Sequence, residues 1–507
     1  MLHLKPIGAA MQNNPDTTLV TQTATMAGST HGGRAKCLQR LVRLDLPVPT
    51  TVALSFTAVS KIAKGELPDI EAVLSQFPKN ALLCVRPSSE DADWGGPSAV
   101  LNIGMNDELY VEMCEQLGTD AATAIYTRFV QSYAVHVARL DPDMFDDVQG
   151  DGRDALNDTL RAYEAETDEK FPADLATQLA AVLKSMARAW DGTTARLLRQ
   201  AKGAPADAGL GLVVQQMAFG VGKAHSGSGV LQLVNSDTGL PQITGRYLRQ
   251  SQGRDALLDE AEALFLTLDP RGPSLEELEP KLFETLKSHA ALMRVKLREE
   301  MQLEFTVDNG ELHILDGVRI PRSSRAAVRI AVALADDKII SRQEALMRIE
   351  PLSLNELLHR QVDSEAIRDI IGHGIAASPG AATGKLVFTA ADAQASASRD
   401  EDCILVRRET SPEDIRGMHA ARAVLTERGG MTSHAAVIGR GIGLPCIVGV
   451  SNIRFQTAKK QLMLQDGRIL EEGEVVTVDG TSGQVLLGAV AMQEAALEDA
   501  FQTLMEW

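Results

Sequence analysis

Apolar positions change their spacing several times along this chain, and each change marks an element. From Arg34 to Leu44 the run RAKCLQRLVRL places apolar residues three and four apart, the repeat of one helix face, directly after Gly32-Gly33. Leu46-Pro-Val-Pro-Thr50 then predicts extended backbone, because a proline pushes the residue before it out of the helical region. ALLCVRPS (81–88) is a continuous apolar run and reads as a buried strand entering a loop, DADWGGPSA (91–99), whose glycines predict a turn. From 106 to 200 helical spacing dominates, as in FPADLATQLAAVLKSMARAWDGTTARLLRQ. Residues 208–250 turn to strands with a hairpin turn at Asp237-Thr-Gly239, and residues 255–300 return to helix. LEFTVDNGELHILDG (303–317) predicts a hairpin around Asp308-Asn-Gly310, since Asn-Gly accepts the positive φ of a tight turn. Residues 323–370 read as helical and charged.

From Gly374 the pattern changes again. A glycine- and alanine-rich lead, GIAASPGAATGKLVFTAADA, enters a strand. CILVRRETSPEDIRGMHAARAVLTERGGMTSHAAVIGRGIGLPCIVGV then reads strand, helix, strand, loop, helix, strand. That alternation predicts a compact α/β domain ending near Gly488, with AMQEAALEDAFQTLMEW as a terminal amphipathic helix. No internal repeat is present. The expected divisions are 1–110, 111–205 (helical), 206–335, a helical linker 336–373, the compact domain 374–490, and a helix 491–507.

The chain has 507 residues, too many for one core. It is 44% hydrophobic and 23% charged, an ordinary globular balance, and its net charge of −18 argues against nucleic acid and anionic membrane surfaces as partners. Its five cysteines form no CxxC or CxH pair, which argues against a disulfide framework or a zinc site and for a reducing cytoplasm. No 18-residue apolar run and no signal-like N-terminus is found, so the expectation is a cytoplasmic protein.

Candidate chemistry concentrates in RGGMTSHAAVIGR (428–440). Thr432 or Ser433 suits a helix N-cap, which places His434 in the first turn, where free N–H groups and a partial positive charge gather. Gly429 and Gly430 let backbone amides approach an anion, and Arg428 and Arg440 add charge. Such a loop suits an imidazole that accepts a phosphoryl group. A polar residue at an exposed helix start satisfies the same pattern, and the residues alone leave both readings open.

The longer stretch ETSPEDIRGMHAARAVLTERGGMTSHAAVIGRGIGLPCIVG, with ASPGAATGKLVFTAADA before it and DGTSGQVLLG after it, closely resembles the swivelling phosphohistidine domain of the pyruvate phosphate dikinase and phosphoenolpyruvate synthase family. GGRAKCLQRLVRLDLPVP resembles that family's G-G-K-G-A-N-L motif and following L-P-V-P, and VRPSSEDADWGGPSAVLNIGMND resembles its phosphate-loop region without a gap. LEFTVDNGELHIL resembles the hairpin near the end of its ATP-grasp region, and EALMRIEPLSLNELLH the connecting segment. The resemblance runs from about Gly32 to Gly488. It implies an α/β and α+β multidomain chain: an ATP-grasp-like nucleotide-binding region with a helical insertion, then the phosphohistidine domain. It implies that His434 carries a phosphoryl group, supported by Arg428, Gly429, Gly430, Thr432 and Ser433. Thr432 stands where plant dikinases carry a regulatory phosphorylation site. For the nucleotide region it implies Arg34, Arg86, Gly95 and Gly96 on ATP and Glu304 on Mg²⁺, where Gln302 replaces the family's aspartate and Asp316 offers a replacement oxygen ligand.

The chain departs from that pattern in two ways. The family's C-terminal (β/α)8 barrel needs at least ~200 residues, more than follow Gly488, so the expectation is a chain without its own pyruvate site. The nucleotide site is also altered. Arg34 replaces a lysine, Trp94-Gly-Gly-Pro-Ser-Ala99 replaces P-G-M-M-D-T, Val234 and Val318 stand where arginines stood, and Arg246 where a glutamate stood. The resulting expectation is a phosphotransferase in which ATP, or a partner, phosphorylates His434, and His434 passes the group to an acceptor held by another chain. The alternative is a non-catalytic binding or regulatory protein with a degenerate ATP-grasp domain. The expected partners are a nucleotide and a separate protein carrying the acceptor or donor site, with a homo-oligomer left open.

Overall fold

The computed structural model describes residues 16–145, 152–252, 263–350, 354, 359–363, 365–493 and 499–507. The chain is α/β and divides into two compact units. One comprises Met1–Asn235 and Pro241–Ile320, the other Ser236–Leu240 and Pro321–Trp507.

The first unit holds two antiparallel sheets. The first sheet has strands β1 (Thr17–Leu19), β2 (Thr51–Leu54), β3 (Leu83–Ser89), β4 (Val100–Ile103) and β5 (Leu210–Gln216), in the order β1-β2-β5-β3-β4. Helix α1 (Gly28–Arg43) packs on it. Gly32 breaks that helix with φ 86°, and a Cβ there would sit 1.8 Å from the Ser88 carbonyl oxygen, so only glycine lets α1 approach β3 this closely. Helices α2 (Phe56–Ala63) and α3 (Ile70–Leu74) follow β2, and α4 (Asp107–Leu117), α5 (Thr119–Tyr133), α6 (Arg153–Thr167), α7 (Leu175–Asp191) and α8 (Thr193–Ala201) supply the helical region that the 3.6-residue spacing predicts over 106–200. Part of their core is an aromatic nest in which Phe171 meets Phe129, Tyr133 and Tyr163 edge-on, with centroids 5.2–5.4 Å apart.

The second sheet is β6 (Gly227–Val234), β7 (Pro241–Arg249), β8 (Met301–Asp308) and β9 (Glu311–Arg319), in the order β7-β6-β8-β9 and backed by α9 (Pro280–Met293). The β8–β9 hairpin turns at Asn309-Gly310, as the sequence predicts. Its register carries a bulge: Phe305 faces Ile314, but Glu304 faces Asp316. The helical reading of 255–300 falls partly on 253–262, which lie outside the described residues.

The second unit begins with α10 (Ser324–Asp336) and α11 (Arg342–Met347). The linker 336–373 is therefore not helical throughout: β10 (Gln361–Val362) pairs with β21 (Met492–Gln493), and β11 (Ile370–Ser378) already belongs to a barrel. The tail is corrected by the same pairing. It starts as a strand, and its helix is α15 (Asp499–Glu506), which buries Phe501 and Leu504 against Val328 and Val332 of α10. The compact domain closes seven strands into a barrel, β11-β15-β14-β13-β12-β19-β20. Here β12 is Ala381–Val387, β13 Cys403–Arg407, β14 Ala423–Thr426, β15 Cys446–Ser451, β19 Val475–Asp479 and β20 Gln484–Leu487. Strands β12, β13, β14 and β15 run parallel. Helices α12 (Ala390–Ser398), α13 (Ile415–Ala420) and α14 (His434–Ile442) supply their crossovers, and β16 (Ile453–Gln456), β17 (Gln461–Leu464) and β18 (Ile469–Glu471) form a small side sheet. Among the described residues no helix is long and apolar enough to cross a membrane.

Candidate active site

His434 is the first residue of α14, just past the carboxyl end of β14. In parallel α/β units that end of the strands collects ligands, because the following helices point their N-termini there. Ser433 is the N-cap: its hydroxyl accepts from the Ala436 N–H at 3.4 Å, and its own N–H donates to the Gly430 carbonyl at 2.9 Å. Gly429 has φ 127°, and a Cβ there would lie 3.0 Å from the Ser433 side chain, so glycine is required to fold the loop back on the cap. Thr432 and Arg428 are exposed, and among the described residues the Arg428 guanidinium has no ion-pair partner. Arg440 behaves differently from its expected role. It donates to the carbonyls of Ala377 (2.9 Å) and Met431 (2.7 Å), so it braces the loop and does not face an incoming anion.

One contact is absent from the sequence reading. Thr410, buried in the loop after β13, places its Oγ1 3.2 Å from Nδ1 of His434. Strands β13 and β14 are parallel neighbours with Arg407 opposite Thr426, so the loops that follow them meet. The predicted βαβ pattern made that juxtaposition available, although the particular hydroxyl was not singled out. With Nδ1 engaged, the half-buried ring keeps Nε2 as its open nitrogen.

The predicted nucleotide residues sit in the first unit. A cleft of about 520 Å³ is lined by α1, both sheets and the helical region. Arg34, Arg86 and Glu304 line it; Gly95, Gly96 and Asp316 do not. Gly96 lies against Pro87, and Asp316 lies behind the cleft wall with its side chain 2% exposed. Oδ2 of Asp316 meets Arg34 Nε at 2.6 Å and Arg86 at 3.2 Å, while Oδ1 accepts from the Gly317 N–H at 2.9 Å. Arg86 also pairs with Glu304 at 2.8 Å and donates to the Leu315 carbonyl at 3.1 Å, and Arg34 donates to the Pro87 carbonyl. Burial alone would raise the Asp316 pKa, but the two guanidiniums reverse this and hold it below the ordinary carboxylate value. Burial would likewise lower the Arg86 pKa, and Asp316 and Glu304 raise it instead. Beside them the Cys37 thiol is pushed up to about 12, by burial first and then by Asp316.

The cluster explains itself through the bulge. Glu304 and Asp316 become direct cross-strand partners, and like charges so placed repel unless cations stand between them. Arg34 and Arg86 do so, and the four charges sum to zero. Asp316 is therefore engaged where the sequence reading makes it a Mg²⁺ ligand, and no group of three or more His, Cys, Asp or Glu side chains that could hold a metal occurs among the described residues. Of the two expected Mg²⁺ ligands Glu304 lines the cleft, while Asp316 is held behind its wall by the two guanidiniums. His136, on the turn after α5, also lines the cleft; the sequence reading gave it no role.

Comparison with known proteins bears on both units. Residues 399–483 match the family described as PEP-utilising enzyme, mobile domain. The pyruvate, phosphate dikinase of Rhizobium meliloti (strain 1021) is 34% identical over 94% of this chain and 58% of its own length. That of Clostridium symbiosum is 34% identical over 84% of this chain and 50% of its own length. The chloroplastic enzyme of Flaveria pringlei is 30% identical over 94% of this chain and 53% of its own length. The chain thus spans about half the length of the curated relatives it matches. Along nearly all of its own residues the chain is similar to pyruvate, phosphate dikinases, and residues 399–483 match the mobile domain of PEP-utilising enzymes.

Proposed function

We propose that the chain is a phosphotransferase of the pyruvate phosphate dikinase type in which His434 is the phosphoryl carrier. The observation that carries this reading is the His434–Thr410 contact at the capped start of α14. Nδ1–H donates to Thr410 Oγ1, which leaves the lone pair on Nε2. That lone pair forms the N–P bond as the bond from phosphorus to the donor's leaving oxygen breaks, and the leaving group keeps the electron pair. The new phosphoryl charge is met by unpaired first-turn N–H groups and by Arg428. In the return step an acceptor oxygen attacks phosphorus, and the electron pair goes back to Nε2. The acceptor is held by another protein or segment.

The donor is either ATP or a partner protein. The neutral ion cluster favours the second, because Arg34 and Arg86 are already engaged by carboxylates and phosphoryl transfer from a nucleotide needs cations on the phosphates. In the non-catalytic alternative the same cleft holds a ligand or partner without transfer.

Intact-protein mass spectrometry at alkaline pH, where phosphohistidine survives, tests this. Wild type and His434→Ala are incubated with Mg-ATP, or with phosphoenolpyruvate and cell extract. The expected result is a gain of one HPO₃ in wild type only. No gain under any condition leaves the non-catalytic alternative, and a gain with ATP alone removes the partner-charged reading.

A further inference from the structure

The first unit carries a second cavity, of about 630 Å³, where α2, the end of α7, α8 and residues 206–210 meet. It shares no lining residue with the cleft. Four cationic side chains line it, Lys61, Lys64, Arg196 and Arg199, against two carboxylates, Asp191 and Asp207. In a chain of net charge −18 this local excess runs against the bulk trend.

Arg199 is the informative member. The residue is only 7% exposed, and its guanidinium lies 3.6 Å over the Trp190 ring. It donates to the Trp190 carbonyl at 2.7 Å, and among the described residues no carboxylate forms an ion pair with it. Burial lowers its pKa, with Asp191 opposing. A guanidinium so withdrawn from water is costly unless a counter-charge meets it. The other cations are unevenly engaged: Lys61 pairs with Asp16 at 2.6 Å, Arg196 donates to the Asp191 carbonyl at 3.2 Å and has no ion-pair partner among the described residues, and Lys64 is exposed. Thr57 and Ser60 add hydroxyls to the same wall. A cavity of this size falls within the ~300–1,000 Å³ typical of small-ligand sites. Guanidinium forks beside an ammonium and hydroxyls match tetrahedral phosphate oxygens.

We propose that this cavity is a binding site for a small phosphate-bearing anion, held by Arg199, Arg196 and Lys64 against the Trp190 wall. It is independent of the His434 chemistry and of the cleft.

The test uses the full ¹⁵N-labelled chain and inorganic pyrophosphate as the probe. The chain has three tryptophans, and the Trp190 indole N–H, which donates to the Ala208 carbonyl at 3.1 Å, reports on this wall. The expected result is a saturable shift of the Trp190 indole signal, identified by its loss in Trp190→Phe. The double variant Lys64→Gln/Arg196→Gln, which changes only exposed side chains, is expected to weaken binding about tenfold or more, while Arg34→Gln in the cleft leaves it unchanged. A Trp190 signal that stays still at millimolar pyrophosphate would overturn the proposal. So would undiminished binding in the double variant, or an equal response to citrate.

Discussion

The His434 loop and the Arg34–Arg86 cleft hold much the same chemical inventory, cations and polar groups near backbone amides, and use it in opposite ways. Around His434 the internal contacts brace the loop and spare the reactive atoms. Arg440 spends itself on carbonyls, Ser433 caps the helix and Thr410 takes Nδ1, while Nε2 and Arg428 stay open. In the cleft the charged groups are consumed by one another, with two guanidiniums on two carboxylates and one of those carboxylates buried. A site built to meet a transient charge keeps its cations unpaired, whereas a paired cluster contributes to the fold.

The largest expected effect is on the cleft. Replacing Asp316 by Asn leaves Arg34 and Arg86 facing each other in a largely buried site, and breaking a buried pair of this kind costs about 3–5 kcal/mol. Urea unfolding measures it, and a loss below about 1 kcal/mol, the scale of exposed pairs, would show that the cluster contributes little. The pH dependence has a definite sign. The Asp316 pKa is lowered on folding from an ordinary 3.8, so its contribution is fully present above that value and is lost as pH falls through the folded value. The gap between wild type and Asp316→Asn should therefore narrow on acidification.

The second effect lies at the other site. Thr410→Val removes the hydroxyl that fixes the His434 ring, and is expected to slow phosphoryl transfer about tenfold to a hundredfold with little change in stability. Thr410→Ser should restore the rate and its pH profile, which a merely structural role would not require. An unchanged rate in Thr410→Val would detach Thr410 from the chemistry. Ser433→Ala is the smallest change. It removes the cap of α14 and should cost about 1 kcal/mol in thermal or urea unfolding, with the barrel otherwise intact.

Legibility in the sequence followed the range of the interactions. The β13-α13-β14-α14-β15 run was readable because each strand and helix carries its own apolar period, and the Asn309-Gly310 turn because its backbone demand is local. The barrel closure was not readable, since β11 meets β15 and β20, and β12 meets β19, across long stretches of chain. The Thr410 contact and the ion pairing of Asp316 were not readable for the same reason. One gains its role from a neighbouring parallel strand and the other from a single bulge that moves Asp316 opposite Glu304. A strict hairpin register would place Leu315 there, and no local signal announces the slip.

The central claim is that His434 reacts through Nε2 because Nδ1 is held by Thr410. ³¹P NMR of the labelled protein under alkaline, denaturing conditions distinguishes the two phosphohistidine isomers. A signal from the Nε2-linked isomer, absent in His434→Ala, is the predicted result. An Nδ1-linked signal, or labelling that persists in His434→Ala, would contradict the account.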